Sequence, residues 1–459
     1  MKKYINTLFL SALIVGFMTS CNKDVLDPTL AQDKVVEGSI TTAEDVEGVL
    51  YGAYNRLTTS AYYGRDLIIF NEIRSDNAFS NGNSGRFLTP SAMDMGESDA
   101  YARDTWTAMY AVVASANIII GLDAANLEGD ADEINQMIGQ AYAIRALAHF
   151  DLLKLFGEQH AGGTLGVPYI TEYKGENLTP SRNSVAEVRA AIEADIATAL
   201  SLMKAGGNDG SKQLLTTYGV QALKSRVGTY FGDWAAVKTA SEAIINSGEY
   251  QILEAADYIG SWQVDAAANS IFELAFSSTD NENINGIQQI YRGAAYGDIE
   301  VLDDLLTIFD PGDVRADEAM IGMGDGTGVL RNMGKYPSND YSDNINIFRY
   351  EEVVLNYAEA LLESSPADAL IQLNSITAKR GALPYASATK ENILKERRRE
   401  LCFEGFRFDD LARSGKDIPL VDAFKQTHGG PTYGSYNYAF PIPEVELNAN
   451  SNMVQNTGY

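Results

Sequence analysis

Twice along the chain, from Tyr218 to Gly248 and from Phe348 to Gly381, one local plan recurs: a helix-forming run, a short polar break, a second helix-forming run. No other feature restricts the possible folds as strongly. In the first unit the break is Gly232-Asp233-Trp234, and the second run presents Ala236, Ala240 and Ala243. That spacing of small residues predicts that two helices approach closely. In the second unit Tyr357-Ala358-Glu359-Ala360 leads into Ser364-Ser365-Pro366, and Ala369, Leu370, Leu373 and Ile376 share the next apolar face. Both units approach the roughly 34-residue tetratricopeptide period. Helical periodicity extends upstream. Residues Thr42 to Leu57 open with Thr-Ala-Glu-Asp and stack Val46, Val49, Leu50 and Ala53. Trp106 to Leu122, Glu133 to Phe156 (closed by Gly157) and Val185 to Met203 carry the same kind of stripe. The expectation is a mainly α, tetratricopeptide-like helical-repeat body with minor β-hairpins, not a doubly wound sheet.

Between these runs lie Asp76 to Arg103, Ser277 to Gly297, Gly322 to Asn346 and Thr427 to Tyr438, all rich in Gly, Asn, Ser, Asp and Tyr. Loops of this length are uncommon unless they carry function, so a binding site is expected there.

Charge excludes one class of partner. Lys and Arg number 35 against 62 Asp and Glu, a net charge of -27, which argues against nucleic acid. The N-terminus suggests a destination. Lys2 and Lys3 precede an apolar run from Leu8 to Met18, too short to span a bilayer, so residues 1–20 read as a signal peptide. It ends at Met18-Thr19-Ser20-Cys21, which resembles a lipobox with Met18 where Leu is usual; the alternative is a secretory signal with a chance cysteine. Lipidation of Cys21 would tether residues 21–459, read as a single domain, to a membrane while the body stays in water. Asn22-Lys23-Asp24 places an acid close behind that cysteine, as in surface-export signals. Cys402, the other cysteine, then has no disulfide partner and reads as a small core residue.

Catalytic and cofactor motifs are missing from the sequence. It contains no Gly-x-Ser-x-Gly elbow, no His-Glu-x-x-His, no Walker loop and no paired Cys-x-x-Cys. Gly322-Met-Gly-Asp-Gly-Thr-Gly328 has the wrong spacing for a dinucleotide loop. Asp280-Asn-Glu-Asn and Asn339 to Asp343 lack EF-hand spacing, so they read as solvated loops. His149, inside a helix, reads as structural. No cofactor and no metal is expected.

Three segments resemble the SusD/RagB-like nutrient-binding outer-membrane lipoproteins. Ala143 to Gly157 is similar to that family's long-helix signature, Glu396 to Leu411 to its C-terminal signature, and Phe440-Pro-Ile-Pro-Glu444 with Gln455 to Tyr459 to its terminal motif. Arg74-Ser75-Asp76-Asn77, the Gly-Asp-Trp turn and Asn374 to Gly381 fall between them in the expected order. The family often has Trp where this chain has Phe408, and Pro where it has Thr457. The resemblance implies a lid over a SusC-like TonB-dependent transporter, facing the cell exterior, that captures glycan, or sometimes peptide, for import and is not an enzyme. A surface glycoside hydrolase is the competing reading.

A sugar has weakly apolar faces and a rim of hydroxyls, so its site needs aromatic platforms beside amides, carboxylates and guanidinium groups. The candidates are Asn81, Asn83, Arg86 and Phe87 in the first loop, then Gln288, Tyr291, Arg292 and Tyr296, then Tyr336 and Tyr341. Changing Tyr291 or Phe87 to Ala is expected to weaken binding. Trp106, Trp234 and Trp262 read as core. In Lys395 to Arg413, Leu394, Leu401 and Phe408 recur every seven residues beside Cys402 and Phe406, which predicts one helix. Glu396–Arg399, Arg397–Glu400 and Glu404–Arg407 would pair along its surface.

Overall fold

A computed structural model describes residues 38–459, except 174–177, 294–295 and 325–327. The signal peptide 1–20, Cys21 and part of the Gly322–Gly328 loop therefore lie outside the described residues.

Helix starts follow local chemistry. Helix α1 (Ala43–Leu57) begins at Thr42, whose hydroxyl accepts from Asp45 N–H while the Asp45 carboxylate accepts from Thr42 N–H. Helix α2 (Asp66–Ile73) follows and is wholly buried. Asp99 caps α3 (Ala100–Ile120), so this helix starts six residues before the periodicity predicts. Asp130 caps α4 (Ala131–Phe156), and Ser184 forms a reciprocal box with Glu187 at the head of α5 (Val185–Leu202). The first repeat unit becomes α6 (Thr217–Phe231) and α7 (Trp234–Ile245). Gly232 sits between them at φ 73°, left-handed backbone that glycine adopts without Cβ strain. The second becomes α9 (Tyr350–Leu361) and α10 (Pro366–Ala378), the latter with Pro at its start. Helix α8 (Ile287–Arg292) lies between these units.

Packing follows chain order. Helices α3, α4 and α5 lie side by side, α6 packs on α7, and α9 joins α7, α10 and α11 (Lys390–Leu401). The α6–α7 seam is not the alanine stripe. Ala240 is buried but Ala243 is exposed, and the contact runs through Val237, Ser241 and Ile244 instead. Gly228 lets Val237 approach, and the Ser225 and Ser241 hydroxyls meet at 3.0 Å.

Among the described residues, three two-stranded antiparallel sheets fasten the loops to this body. β1 (Ala78–Ser80) pairs with β3 (Ile299–Val301), and β2 (Ser270–Leu274) with β6 (Ile345–Arg349). Only β4 (Ile321–Met323) and β5 (Leu330–Asn332) form a local hairpin; the other two pairs join distant segments.

The arginine-rich segment corrects two expectations. It is two helices, α11 and α12 (Arg407–Arg413), separated by a turn in which Phe403 and Gly405 take φ 68° and 82°. The turn redirects the charges inward. Of the three expected pairs only Glu396–Arg399 forms, at 3.5 Å. Arg397 instead meets Asp410 at 2.8 Å, and Arg407 meets Asp76 at 2.6 Å. Glu404 takes Lys335 and Arg349, and Glu400 receives Arg315, Arg349 and Arg380, all buried. Burial alone would raise the Glu400 carboxyl, but Arg380, Arg349 and Arg315 hold it well below the usual range.

The other signature segments close on the same core. Arg398 donates to Asn77 Oδ1 at 2.8 Å, and the Arg74 guanidinium lies 3.7 Å from the Phe408 ring centroid. Asn456 donates to the carbonyls of Phe156 and Phe440. Cys402 is buried, which pushes its thiol up to about 12 and leaves it inert. His149 is fully buried; Nδ1 lies 3.0 Å from the Arg145 carbonyl, and Nε2 accepts from Ile170 N–H at 3.0 Å. Trp106 is core as expected, whereas Trp234 is half-buried at the start of α7.

Candidate functional site

The sequence candidates divide into a surface group and an interior group. Four meet at the surface because β1 and β3 pair. Asn81 donates to the Gly297 carbonyl at 3.0 Å and to Glu300 Oε1 at 2.6 Å, and Asn83 donates to the Tyr296 carbonyl at 2.7 Å. Arg86 lies 3.8 Å from the Tyr296 ring centroid and donates to Asn285 Oδ1 at 3.0 Å. Gly293 and Gly297 make this turn possible. Both have positive φ, and a Cβ on Gly297 would stand 2.5 Å from Gly293 Cα.

The interior group is a correction. Phe87 is fully buried, stacked on Tyr101 at 5.0 Å and edge-on to Phe70. Tyr291 and Tyr336 are also buried, with rings 6.4 Å apart and nearly parallel, and Gln288 is 3% exposed. Phe87, Tyr291 and Gln288 offer no free face to a ligand, while Tyr336, 1% exposed, borders a cleft. Aromatic side chains bury large apolar areas, and here α2, α3 and the 403–405 turn supply the packing that the loops lack. The expectation that Phe87→Ala or Tyr291→Ala acts on binding is therefore replaced by an effect on stability.

Arg292 links the surface cluster to a cleft of about 550 Å³. Its guanidinium donates to the Pro337 carbonyl and to Asn339 Oδ1, and Asn339 lines the cleft. Asn281 donates to the Ser277 carbonyl at 2.7 Å from the other wall. Tyr341 is half-buried on the same loop.

Trp262 and Phe276 supply aromatic surface to the cleft; Asp265, Ser338, Asn339, Asp343 and Asn344 supply polar groups. Trp262 is buried, as expected, at 8% exposure, and it also lines the cleft, with Lys335 Nζ 4.9 Å from its ring centroid. Its Nε1, Tyr336 Oη and Asn346 Oδ1 are buried without a hydrogen-bond partner. Burial raises the Asp343 carboxyl, opposed by hydrogen bonds from Ser338 and Gln288. Glu273 is fully engaged: Ala266 N–H and Asn344 Nδ2 reach Oε1, and Ser270 Oγ reaches Oε2.

Among the described residues, eight non-glycine residues have positive φ; Tyr336, which lines the cleft, and Ala266, whose N–H reaches the lining residue Glu273, are two of them. Such strain costs of order 1–3 kcal/mol each and gathers at ligand sites. Trp262, Phe276, Asp343 and Asn344 were missed in the sequence. The available signal was an aromatic at each end of the β2 region, outside the polar loops themselves.

The fold and site define a class: a helical-repeat binding protein whose loops build an open, amide-rich cleft. Comparison with known proteins narrows it. Residues 328–459 match the SusD family profile, and residues 26–228 match a second profile described as starch-binding associating with outer membrane. SusD-like protein P38 of Formosa agariphila is 24% identical, covering 92% of this chain and 94% of that protein. The starch-binding protein SusD of Bacteroides thetaiotaomicron is 31% identical over 157 residues, 31% of this chain and 28% of that protein. A crystal structure of a SusD superfamily protein from Bacteroides thetaiotaomicron superposes with a TM-score of 0.83 at 27% identity, covering 91% of this chain and all of that one. The chain belongs to the SusD/RagB-like family.

Proposed function

We propose that this protein captures an oligosaccharide on its loop face and hands it to a SusC-like TonB-dependent transporter for import. The carrying observation is the cleft itself, where the Trp262 and Phe276 rings stand beside Asn339, Asn344, Ser338, Asp343 and Asp265. Rings take the apolar face of a sugar, while amides and carboxylates take its hydroxyls. Arg86 and Tyr296 add a stacked cation–ring pair on the loop surface. A Bacteroides thetaiotaomicron relative is named as starch-binding, which supports glycan as the ligand class. Lipidation at Cys21 would hold the body at the outer membrane, facing the exterior. No helix among the described residues is long and apolar enough to cross a membrane.

Isothermal titration against a glycan array tests the reading. Phe276→Ala and Tyr296→Ala should each cost on the order of 1 kcal/mol of binding with unchanged melting. A silent array together with saturable peptide binding would establish the peptide alternative. Release of reducing ends, lost on removing one carboxylate, would establish the hydrolase. Co-purification of the full-length lipoprotein with a barrel transporter tests the hand-over.

A further inference from the structure

A second cleft, of about 400 Å³, shares no residue with the first. It lies between residues 250–257, the start of α9 and one face of α10. Tyr250 and Tyr350 form its aromatic wall, their rings 6.4 Å apart and 25° from parallel, both half-buried. Tyr218 meets Tyr250 edge-on at 5.8 Å and fixes its ring. Val354 and Leu253, both buried, line the apolar part. Opposite, Gln372, Ser375 and Lys379 follow one another at helical spacing along α10 and its C-cap, so all three face the tyrosines. Lys379 pairs with Glu254 across the rim. The side-chain amides of Gln251 and Gln372 have no hydrogen-bond partner among the described residues.

Half-exposed rings facing uncommitted amides repeat, on a different element set, the chemistry of the loop face. The volume falls within the range of ligand pockets. With a net charge of -27 on the chain and the one lysine of this rim already paired, an anionic ligand is disfavoured. We infer that this cleft is a second binding site for a neutral oligosaccharide, separate from the loop-face cleft. The inference rests on the glycan reading of the loop face.

The test is titration of the mature chain with neutral oligosaccharides spanning α- and β-glucan, mannan, galactan and xylan fragments. Two sites per protein are expected for short fragments. Tyr350→Ala, and separately the surface pair Gln251→Ala with Gln372→Ala, should weaken one site about tenfold and leave the other intact; Phe276→Ala should do the reverse. The glutamine pair keeps the test valid if Tyr350→Ala does not fold. A single site that responds to Phe276→Ala and ignores both second-cleft variants overturns this inference alone. Silence of the wild-type chain across the panel overturns it together with the loop-face reading.

Discussion

Glu400→Gln tests whether the arginine-rich segment is scaffold or site. Glu400 is fully buried, and its two oxygens receive four contacts: Arg349 Nη1 and Arg380 Nη2 at 3.1 Å each on Oε1, then Arg315 Nη1 at 3.1 Å and Arg380 Nε at 3.0 Å on Oε2. Glutamine keeps the volume, but its NH₂ group points donors at donors, and the charge that neutralises the guanidinium cluster is lost. Removing one member of a buried ionic network costs about 3–5 kcal/mol, because the remaining charges stay buried without compensation. Glu351, Glu396 and Glu404 still reach the same three arginines, which keeps the cost within that range. With unfolding entropy near 2.1 cal/mol/K per residue over a chain of this size, each kcal/mol moves the midpoint by only about 1 °C. The melting temperature should therefore fall by about 3–5 °C by calorimetry, and the denaturant midpoint with it. Oligosaccharide affinity, measured well below the transition, should be unchanged. A melting shift below about 1 °C, or a loss of affinity at unaltered melting, would refute the argument.

The remaining predictions use other parts of the molecule. Phe87→Ala and Tyr291→Ala should each lose about 3–5 kcal/mol of stability by denaturant titration while the folded fraction keeps its glycan affinity, since both rings are buried. Burial lowers His149 to about 3, so it stays neutral in the fold while the unfolded residue titrates near 6.5. A depressed folded value means that its contribution is present above pH 6.5 and is lost at about 1.4 kcal/mol per pH unit as pH falls toward 3; His149→Gln should flatten that part of the stability–pH curve. Cys21→Ser should move the protein from the membrane pellet to the soluble fraction on fractionation, and mass spectrometry of the wild type should find acyl chains on Cys21. Arg398→Ala, which loses contacts to Asn77, Asp76 and Asp304, should lower the melting temperature without altering intrinsic affinity.

The helical body was legible because its signals are local. Thr42, Asp130 and Ser184 announce helix starts within three residues of the groups they cap, and the apolar stripes of α1, α4 and α5 need no distant partner to be recognised. The break between α11 and α12 was hidden because Leu394, Leu401 and Phe408 keep a seven-residue spacing straight through it. Only Gly405 marked it, and a lone glycine does not force a helix to end. The burial of that segment was equally hidden. A run of arginines looks solvated until acids far away in the chain arrive to neutralise it, as Asp76 does for Arg398 and Arg407 and Asp310 for Arg399.

The loop face failed to show itself for the same physical reason, with the opposite sign. Asn81, Asn83, Arg86 and Tyr296 stand together because residue 78 pairs with residue 301, a register that no local pattern encodes. Phe87 and Tyr291 sit in equally polar sequence, yet they turn inward because Tyr101, Phe70 and Phe403 wait there with matching faces. Polarity of a loop thus predicted where the surface would be, but not which aromatic would reach it. Trp262 shows the converse: it lies at the end of a short helical turn, outside every polar loop, and still forms the cleft wall because the β2–β6 pair carries residues 273–277 and 344–346 alongside it. The glycan reading accordingly rests on which rings and amides the long-range strand pairs bring together, so a variant at Phe276 probes it more directly than substitutions at the buried loop aromatics Phe87 and Tyr291.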